Sequence, residues 1–411
     1  MNHPLRSLFL DMDSYFASIE QHLNPRLRGI PVGVAPMLAE STCCIAASYE
    51  AKAFGVKTGT RVSDARVMCP GIVIVPSRPP IYVNFHHRIV EIVESCTHVD
   101  HVLSIDEMVC WLPTNLRTDS AVETISRAIK AKLTSEFSPA VRCSIGVAPN
   151  GWLAKTASKM RKPDGFFIIR SEHLPEVLHE LSLGDLHGIG TNMELRLHSQ
   201  GIHTVEQLCA APKELLRGIW GGIEGERLWH RIRGEVTEDY DANPTKRSIS
   251  HGHVLAPEMR NPPKALPVIH RLIQKAALRM RDGGFLAGAL ELDLRFTNRE
   301  SWSGSAGFVE TADSLFLTHM LKTLWAARPH QKVDILRANI VLHKLIREAQ
   351  FTPSLFDRES NGRIDLLNKT MDRITGKFGK EALYLGGAHG ALDTAQPKIA
   401  FKHIPNVKIE G

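Results

Sequence analysis

Leu8-Phe9-Leu10-Asp11-Met12-Asp13-Ser14-Tyr15-Phe16-Ala17-Ser18-Ile19-Glu20 decides how the chain is read. An apolar run with strand character ends in two carboxylates, Asp11 and Asp13, and passes straight into helical spacing at Phe16, Ile19 and Glu20. Acidic residues at the carboxyl end of a buried strand are where α/β and α+β sheets present their chemistry. The same Asp-x-Asp can also do no more than cap the next helix. A second stretch weighs between the two: Val102-Leu103-Ser104-Ile105-Asp106-Glu107-Met108-Val109-Cys110. Apolar residues flank adjacent carboxylates, as in two strands joined at an acidic turn. Unpaired carboxylates there are costly to desolvate unless a cation neutralises them. Asp11, Asp106 and Glu107 form an oxygen-rich, histidine-free ligand set of the kind Mg²⁺ prefers. Such a cluster holding two ions is the usual apparatus of in-line phosphoryl or nucleotidyl transfer.

The chain has 411 residues, enough for two to four domains with their own cores. A net charge of +6 is compatible with nucleic acid without requiring it. All seven cysteines lie at or before Cys209, and no CxxC pair occurs, which excludes a zinc-finger layout and a disulfide framework. A reducing cytoplasm fits. The N-terminus has no basic leader with a long apolar core, and no run reaches transmembrane length, so a soluble intracellular protein without membrane association is expected.

The pattern Asp-x-Asp-x-aromatic-Phe-Ala-Ser-Ile-Glu at 11–20, followed by Ser-Ile-Asp-Glu at 104–107, resembles the paired palm motifs of Y-family translesion DNA polymerases, of the bacterial polymerase IV and polymerase V catalytic-subunit types. The resemblance runs from about Leu8 to beyond Leu345. It implies an α+β right-hand polymerase with a ferredoxin-like palm, small fingers, a helical thumb with a helix-hairpin-helix, and a ferredoxin-like little finger. It implies a low-fidelity, template-directed enzyme that adds deoxynucleotides to a primer end. Two Mg²⁺ ions would be held by Asp11, Asp106, Glu107 and the backbone carbonyl of Met12, with Asp13 behind them. Phe16 falls at the steric-gate position that excludes a ribose 2′-hydroxyl, although an aromatic ring there more commonly packs on the sheet.

Thr42 to Ala47 reads as a strand of small residues, leading into Ser48-Tyr49-Glu50-Ala51-Lys52-Ala53-Phe54-Gly55, a short helix capped by Ser48 and stopped by Gly55. Tyr49 and Lys52 share a face. The helix resembles the family's triphosphate cradle, with one departure. Lys52 stands where the family usually has Arg, which keeps the charge and loses the bidentate fork. Residues 55–76 read as short helices, and Ile81 to Cys96 as a helix with His86 and His87 on its surface. A further helix follows from about Ala121 to Leu133. After the strand Val141–Ala148, Asn150 caps a helix with Leu153, Ala157 and Met160 on one stripe. Lys155, Lys159 and Lys162 lie on another. A lysine row is ordinarily a solvated face. The segment from Asn150 to Gly165 resembles the family's palm helix, in which the lysine before proline, here Lys162, meets the incoming triphosphate; Lys155 is a second candidate.

From Glu172 to Gly234 the pattern is helical. Leu186-His187-Gly188-Ile189-Gly190 resembles a helix-hairpin-helix turn, whose glycines Gly188 and Gly190 let backbone N–H groups meet a DNA phosphate. His187 reads as a turn residue. A polar tether, 235–247, precedes a β-α-β-β-α-β pattern with helices at Leu266–Arg281 and Leu315–Trp325. The strands alternate at Leu290, Leu292, Leu294 and Phe296, and at Leu336, Ala338, Ile340 and Leu342. Lys246 and Arg247 are the phosphate-contact candidates. Leu355 and Phe356 are similar to a sliding-clamp-binding peptide, or pack on the domain instead. An amphipathic helix with Ile364, Leu367, Met371, Ile374 and Phe378 follows. The expected division is palm 1–20 and 79–170, fingers 21–78, thumb 171–234, little finger 248–348 and a C-terminal extension 349–411. Primer-template DNA and deoxynucleoside triphosphates are the implied partners of a monomer, with a sliding clamp and an accessory subunit as further candidates. The rival reading is a non-catalytic, DNA-binding adaptor. It sits poorly with three retained acids.

Overall fold

The computed structural model describes residues 4–237, 247–329, 333–352, 358–379, 382–392 and 404. Two compact units divide between residues 242 and 243.

The first unit runs β1 (Ser7–Met12), α1 (Tyr15–Leu23), β2 (Val32–Ala35), β3 (Ala46–Ala47), α2 (Tyr49–Lys52), α3 (Val62–Met68), β4 (Val73–Pro76), α4 (Pro79–Glu94), β5 (His101–Val102) and β6 (Glu107–Trp111). It continues through α5 (Asp119–Glu136), β7 (Cys143–Ala148), α6 (Gly151–Met160) and β8 (Phe166–Ile168) into α7 (Thr191–His198), α8 (Val205–Ala210), α9 (Lys213–Trp220) and α10 (Ile223–Ile232). Its main sheet has the order β5-β6-β1-β7-β8, antiparallel except between β7 and β8. Every residue of β1 is buried, because the strand is central and covered on both faces. That is why it lacks alternation. Phe9 joins Trp152 and Leu153 of α6 in one core, which extends through Leu186 and Ile189 into the helices that follow. Gly146 of β7 lets α6 approach: a Cβ there would overlap the Ala154 carbonyl oxygen and the Ser158 nitrogen.

Residues 55–76, read as short helices, also hold the strand β4 (Val73–Pro76). β2 pairs with β3 antiparallel and with β4 parallel in a three-stranded sheet around a small core of Ala35, Ala47 and Val62. The strand read over 42–47 is only Ala46–Ala47, with Cys43 in an isolated bridge to Arg61. Thr42 instead turns back, its hydroxyl donating to the Ala39 carbonyl at 2.7 Å. The helix at Ile81–Cys96 starts at Pro79, since proline suits a first helical turn. His86 is a correction to the surface reading. It is buried, and its ring Nδ1 lies 2.8 Å from the Ile105 carbonyl.

The second unit has β9 (Ser248–Val254), α11 (Pro262–Asp282), β10 (Phe285–Phe296), β11 (Ser301–Thr311), α12 (Ser314–Ala327) and β12 (Ile335–His343), the β-α-β-β-α-β order expected. The sheet order is β11-β10-β12-β9, antiparallel throughout, with α11 and α12 packed on it. The inward face takes Ile335 rather than Leu336, because the register slips between Arg295 and Phe296 and leaves Leu336 opposite no partner. A two-residue strand, β13 (Ile346–Arg347), pairs with the start of β10. α13 (Arg358–Phe378) is the expected C-terminal helix, ended at Gly379 with φ +91°. Of its expected apolar face Ile364, Met371 and Ile374 are half-buried, and a polar tie is added. Asp372 takes a two-pronged bond from Arg281 at 2.6 and 2.7 Å, while Leu367 and Phe378 are exposed. Lys246, Leu355 and Phe356 lie outside the described residues.

Candidate active site

Strand pairing brings the acids together. Asp11 lies opposite Glu107 on one side of β1 and opposite Ser144 on the other. The Met12 N–H donates to the Asp106 carbonyl at 2.8 Å, which fixes the acidic turn against the end of β1. His86 holds the residue before Asp106 from behind. Burial pushes the His86 ring down to about 4, so it stays neutral at physiological pH and donates through Nδ1.

Asp11 is buried, and burial raises its carboxyl to about 6; Lys162 pulls it back, and Asp106 and Glu107 push it further up. Asp106 is raised for the same leading reason, with Glu107 adding to it and the Ser104 hydroxyl bond opposing. Two lysines of the expected row answer this charge instead of pointing into solvent. Lys162 pairs with Asp11 and approaches Asp13 at 3.7 Å, and Lys155 pairs with Glu107 at 2.7 Å. Lys155 also sits over the Phe9 ring at 5.3 Å.

Asp13 is wholly buried and faces inward. Both its oxygens lie 3.0 Å from the Ser144 hydroxyl, which shares its one proton between them, and it accepts from the Asp164 N–H at 2.7 Å and the Tyr49 phenol at 3.1 Å. It therefore holds the Ser144, Asp164 and Tyr49 groups in place. Ser14 begins α1 in the left-handed region (φ 49°), with its hydroxyl buried and unbonded. A strained residue at a strand-to-helix turn is found where function holds it. On α2, the Ser48 hydroxyl accepts from the Ala51 N–H, and Lys52 covers the Tyr49 ring at 4.2 Å. Burial and the nearby Lys162 both lower the affinity of Lys52 for its proton, so a neighbouring anion is favoured. Phe16 stacks on Tyr82 with centroids 4.6 Å apart, and Tyr82 is tied to Glu20 at 2.7 Å. The ring is thus packed on a tyrosine that is itself fixed to α1.

Gly188 has φ +90° in the turn before α7, and Gly190 caps that helix. The turn is held to α6 by the Trp152 indole N–H, which donates to the His187 carbonyl at 2.9 Å. Sequence reasoning missed His86, Ser144 and Tyr82 as supports. Each acts on a residue far away in the chain, and no local pattern signals that.

The oxygen-only donor set, two acids of raised pKa (Asp11 buried, Asp106 half-buried) and a like-charged neighbour are what a hard divalent cation relieves. Among the described residues no three acidic, histidine or cysteine side chains converge into a ready cage. Lysines occupy the carboxylates, as unneutralised acids require. The residues fit Mg²⁺ in type, with cation and ammonium competing for the same oxygens.

Two models of the impB/mucB/samB family match the chain, the main one over residues 10–159 and the C-terminal domain over 246–355. DNA polymerase IV of Moorella thermoacetica is 32% identical over 391 residues, covering 92% of this chain and 94% of the relative. DNA polymerase IV 1 of Bacillus subtilis is 28% identical over 390 residues, covering 92% and 91%. Among solved structures, a Y-family DNA polymerase chimera of Dbh and Dpo4 superposes with a TM-score of 0.72 at 24% identity, over 83% of this chain and 99% of that one. An insertion ternary complex of Dbh DNA polymerase gives 0.58 at 24% identity, with the same coverage.

Proposed function

This chain belongs to the impB/mucB/samB family and is a Y-family translesion DNA polymerase, and on that premise we propose that Asp11, Asp106 and Glu107 are its catalytic acids. The observation that carries the assignment is the pairing of Asp11 with Glu107 across adjacent strands, with Asp11 buried and its carboxyl raised to about 6.

Asp11, Asp106, Glu107 and the Met12 carbonyl would hold two Mg²⁺ ions. When bound, these activate the primer 3′-hydroxyl and neutralise the triphosphate in in-line transfer. The chain's own groups do the rest. Lys162 exchanges the Asp11 carboxylate for a phosphate oxygen once Asp11 is otherwise neutralised. Tyr49 and Lys52 bind the same triphosphate, Tyr49 in an orientation set by Asp13. Phe16, backed by Tyr82, closes the space a 2′-hydroxyl would take. Lys155 keeps Glu107 oriented.

Residues 1–20 and 79–170 serve as palm, 21–78 as fingers, 171–234 as thumb and 248–348 as little finger. Gly188 and Gly190 offer backbone N–H groups to a DNA phosphate, and Lys246 and Arg247 add charge, so affinity falls with salt. The enzyme acts on primer-template DNA with deoxynucleoside triphosphates during damage tolerance in the cytoplasm, as a monomer. Leu355 and Phe356 are assigned to a sliding clamp, and an accessory subunit remains a candidate partner. The test is primer extension with Mg²⁺ on undamaged and lesion-bearing templates, beside Asp106→Ala. Wild type extends, and the variant loses activity by about 10²–10³-fold or more while still binding DNA. Binding without extension by the wild type would leave an adaptor.

A further inference from the structure

At the start of β7 a cleft of about 380 Å³ is lined among others by Lys130, Thr134, Ser135, Arg142, Cys143 and Asp164, whose N–H donates to Asp13. Its charge balance is uneven. Lys130 is satisfied by Asp164, at 2.9 Å to the carboxylate, and by the Gly165 carbonyl at 3.0 Å. Arg142 is not. Among the described residues its guanidinium forms no salt bridge, and its Nε–H is buried without an acceptor. Asp164, in the same cleft, is paired with Lys130. The Asp13 carboxylate is also occupied, by the Ser144 hydroxyl, the Tyr49 phenol and the Asp164 N–H.

Arg142 is nonetheless built into this corner. Its carbonyl accepts from the Asp13 N–H at 2.8 Å. It stands two residues before Ser144 and so projects on the same face of the chain, the face on which Ser144 meets Asp13. Its positive charge bears on the Tyr49 phenol. Tyr49 is the residue over which Lys52 lies. A partly buried guanidinium with no carboxylate, close enough to Tyr49 for its charge to act on the phenol, suits an anion.

We propose that Arg142 is a further triphosphate-binding residue, supplying from the residue before β7 the planar fork that Lys52 lacks on α2. The proposal rests on the reading of Tyr49, Lys52 and Lys162 as the triphosphate cradle. The ligand is the terminal part of the incoming nucleotide's phosphate chain. A guanidinium suits it because two parallel N–H groups match two oxygens of one phosphate, which an ammonium cannot do. The usual arginine position and this one reach a common phosphate from different elements.

The test is the equilibrium affinity of the full chain, bound to a dideoxy-terminated primer-template, for the next complementary deoxynucleoside triphosphate. Arg142→Met weakens that affinity by about 10–100-fold, the loss of charge-assisted bonds. DNA affinity and thermal unfolding stay at wild-type values. Arg142→Lys recovers part of the loss, and Lys52→Arg placed in the Arg142→Met background recovers most of it. Wild-type nucleotide affinity in a folded Arg142→Met protein overturns the proposal. Lys162→Ala and Lys52→Ala separate the two failures. If they weaken binding while Arg142→Met does not, Arg142 alone is misassigned; if none does, the cradle itself is wrong.

Discussion

Replacing Asp11 by Asn should make the metal-free protein more stable while destroying its chemistry. The carboxyl is raised from 3.8 to about 6, chiefly by burial. Taken whole, that shift sets roughly 3 kcal/mol against the ionised form at neutral pH. Asparagine removes the charge but also the partner of Lys162. That lysine is one-quarter exposed and keeps Asp13 at 3.7 Å, so it is not stranded. The net gain expected is about 1–2 kcal/mol. The sign follows from proton binding. Between about pH 4 and pH 6 the folded state holds a proton that the unfolded chain has released, so stability falls as pH rises through that window and the penalty is complete above it. Asp11→Asn abolishes this slope. The assay is urea unfolding in EDTA at about pH 5 and pH 7.5, followed by hydrogen exchange in peptides covering β1, β6 and β7, so that the first unit is read by itself. Added Mg²⁺ reverses the ranking by stabilising wild type more than the variant. A variant less stable than wild type in EDTA at pH 7.5, or one with an unchanged pH slope, would refute burial as the dominant cause.

Phe16→Ala should raise incorporation of ribonucleotides relative to deoxyribonucleotides by about 10–100-fold in primer extension, and loss of its stacking on Tyr82 should cost about 1 kcal/mol. An unchanged ratio would make Phe16 a packing residue only. Gly146→Ala, which drives a methyl group into the backbone of α6, should cost about 3 kcal/mol or more and lower the yield of soluble protein. Melting like that of wild type would show that β7 and α6 can separate without penalty.

Where local pattern carries information, the chain is legible. The acids at 11, 13, 106 and 107 stand out because charge at the end of an apolar strand is costly. The caps Ser48 and Asn150 were readable because each bonds a backbone N–H three residues on, at Ala51 and Leu153. The β-α-β-β-α-β order of the second unit follows from periods of two and of about four residues. The three-stranded sheet of β2, β3 and β4 was not readable. Its strands have two to four residues each, and no alternation can be told over that length.

By itself, then, the sequence determined which residues are acids, caps, turns and apolar faces, since these depend on neighbours within a few positions. The tertiary structure alone decided the partners. Lys155 and Lys162 face carboxylates 48 and 151 residues away. His86 is buried against Ile105, Asp13 is filled by Ser144, Tyr49 and Asp164, and the Arg142 Nε–H is buried without an acceptor. Charge pairing and desolvation act through space over a few ångströms. They are set by which strands lie side by side, and chain spacing does not encode that.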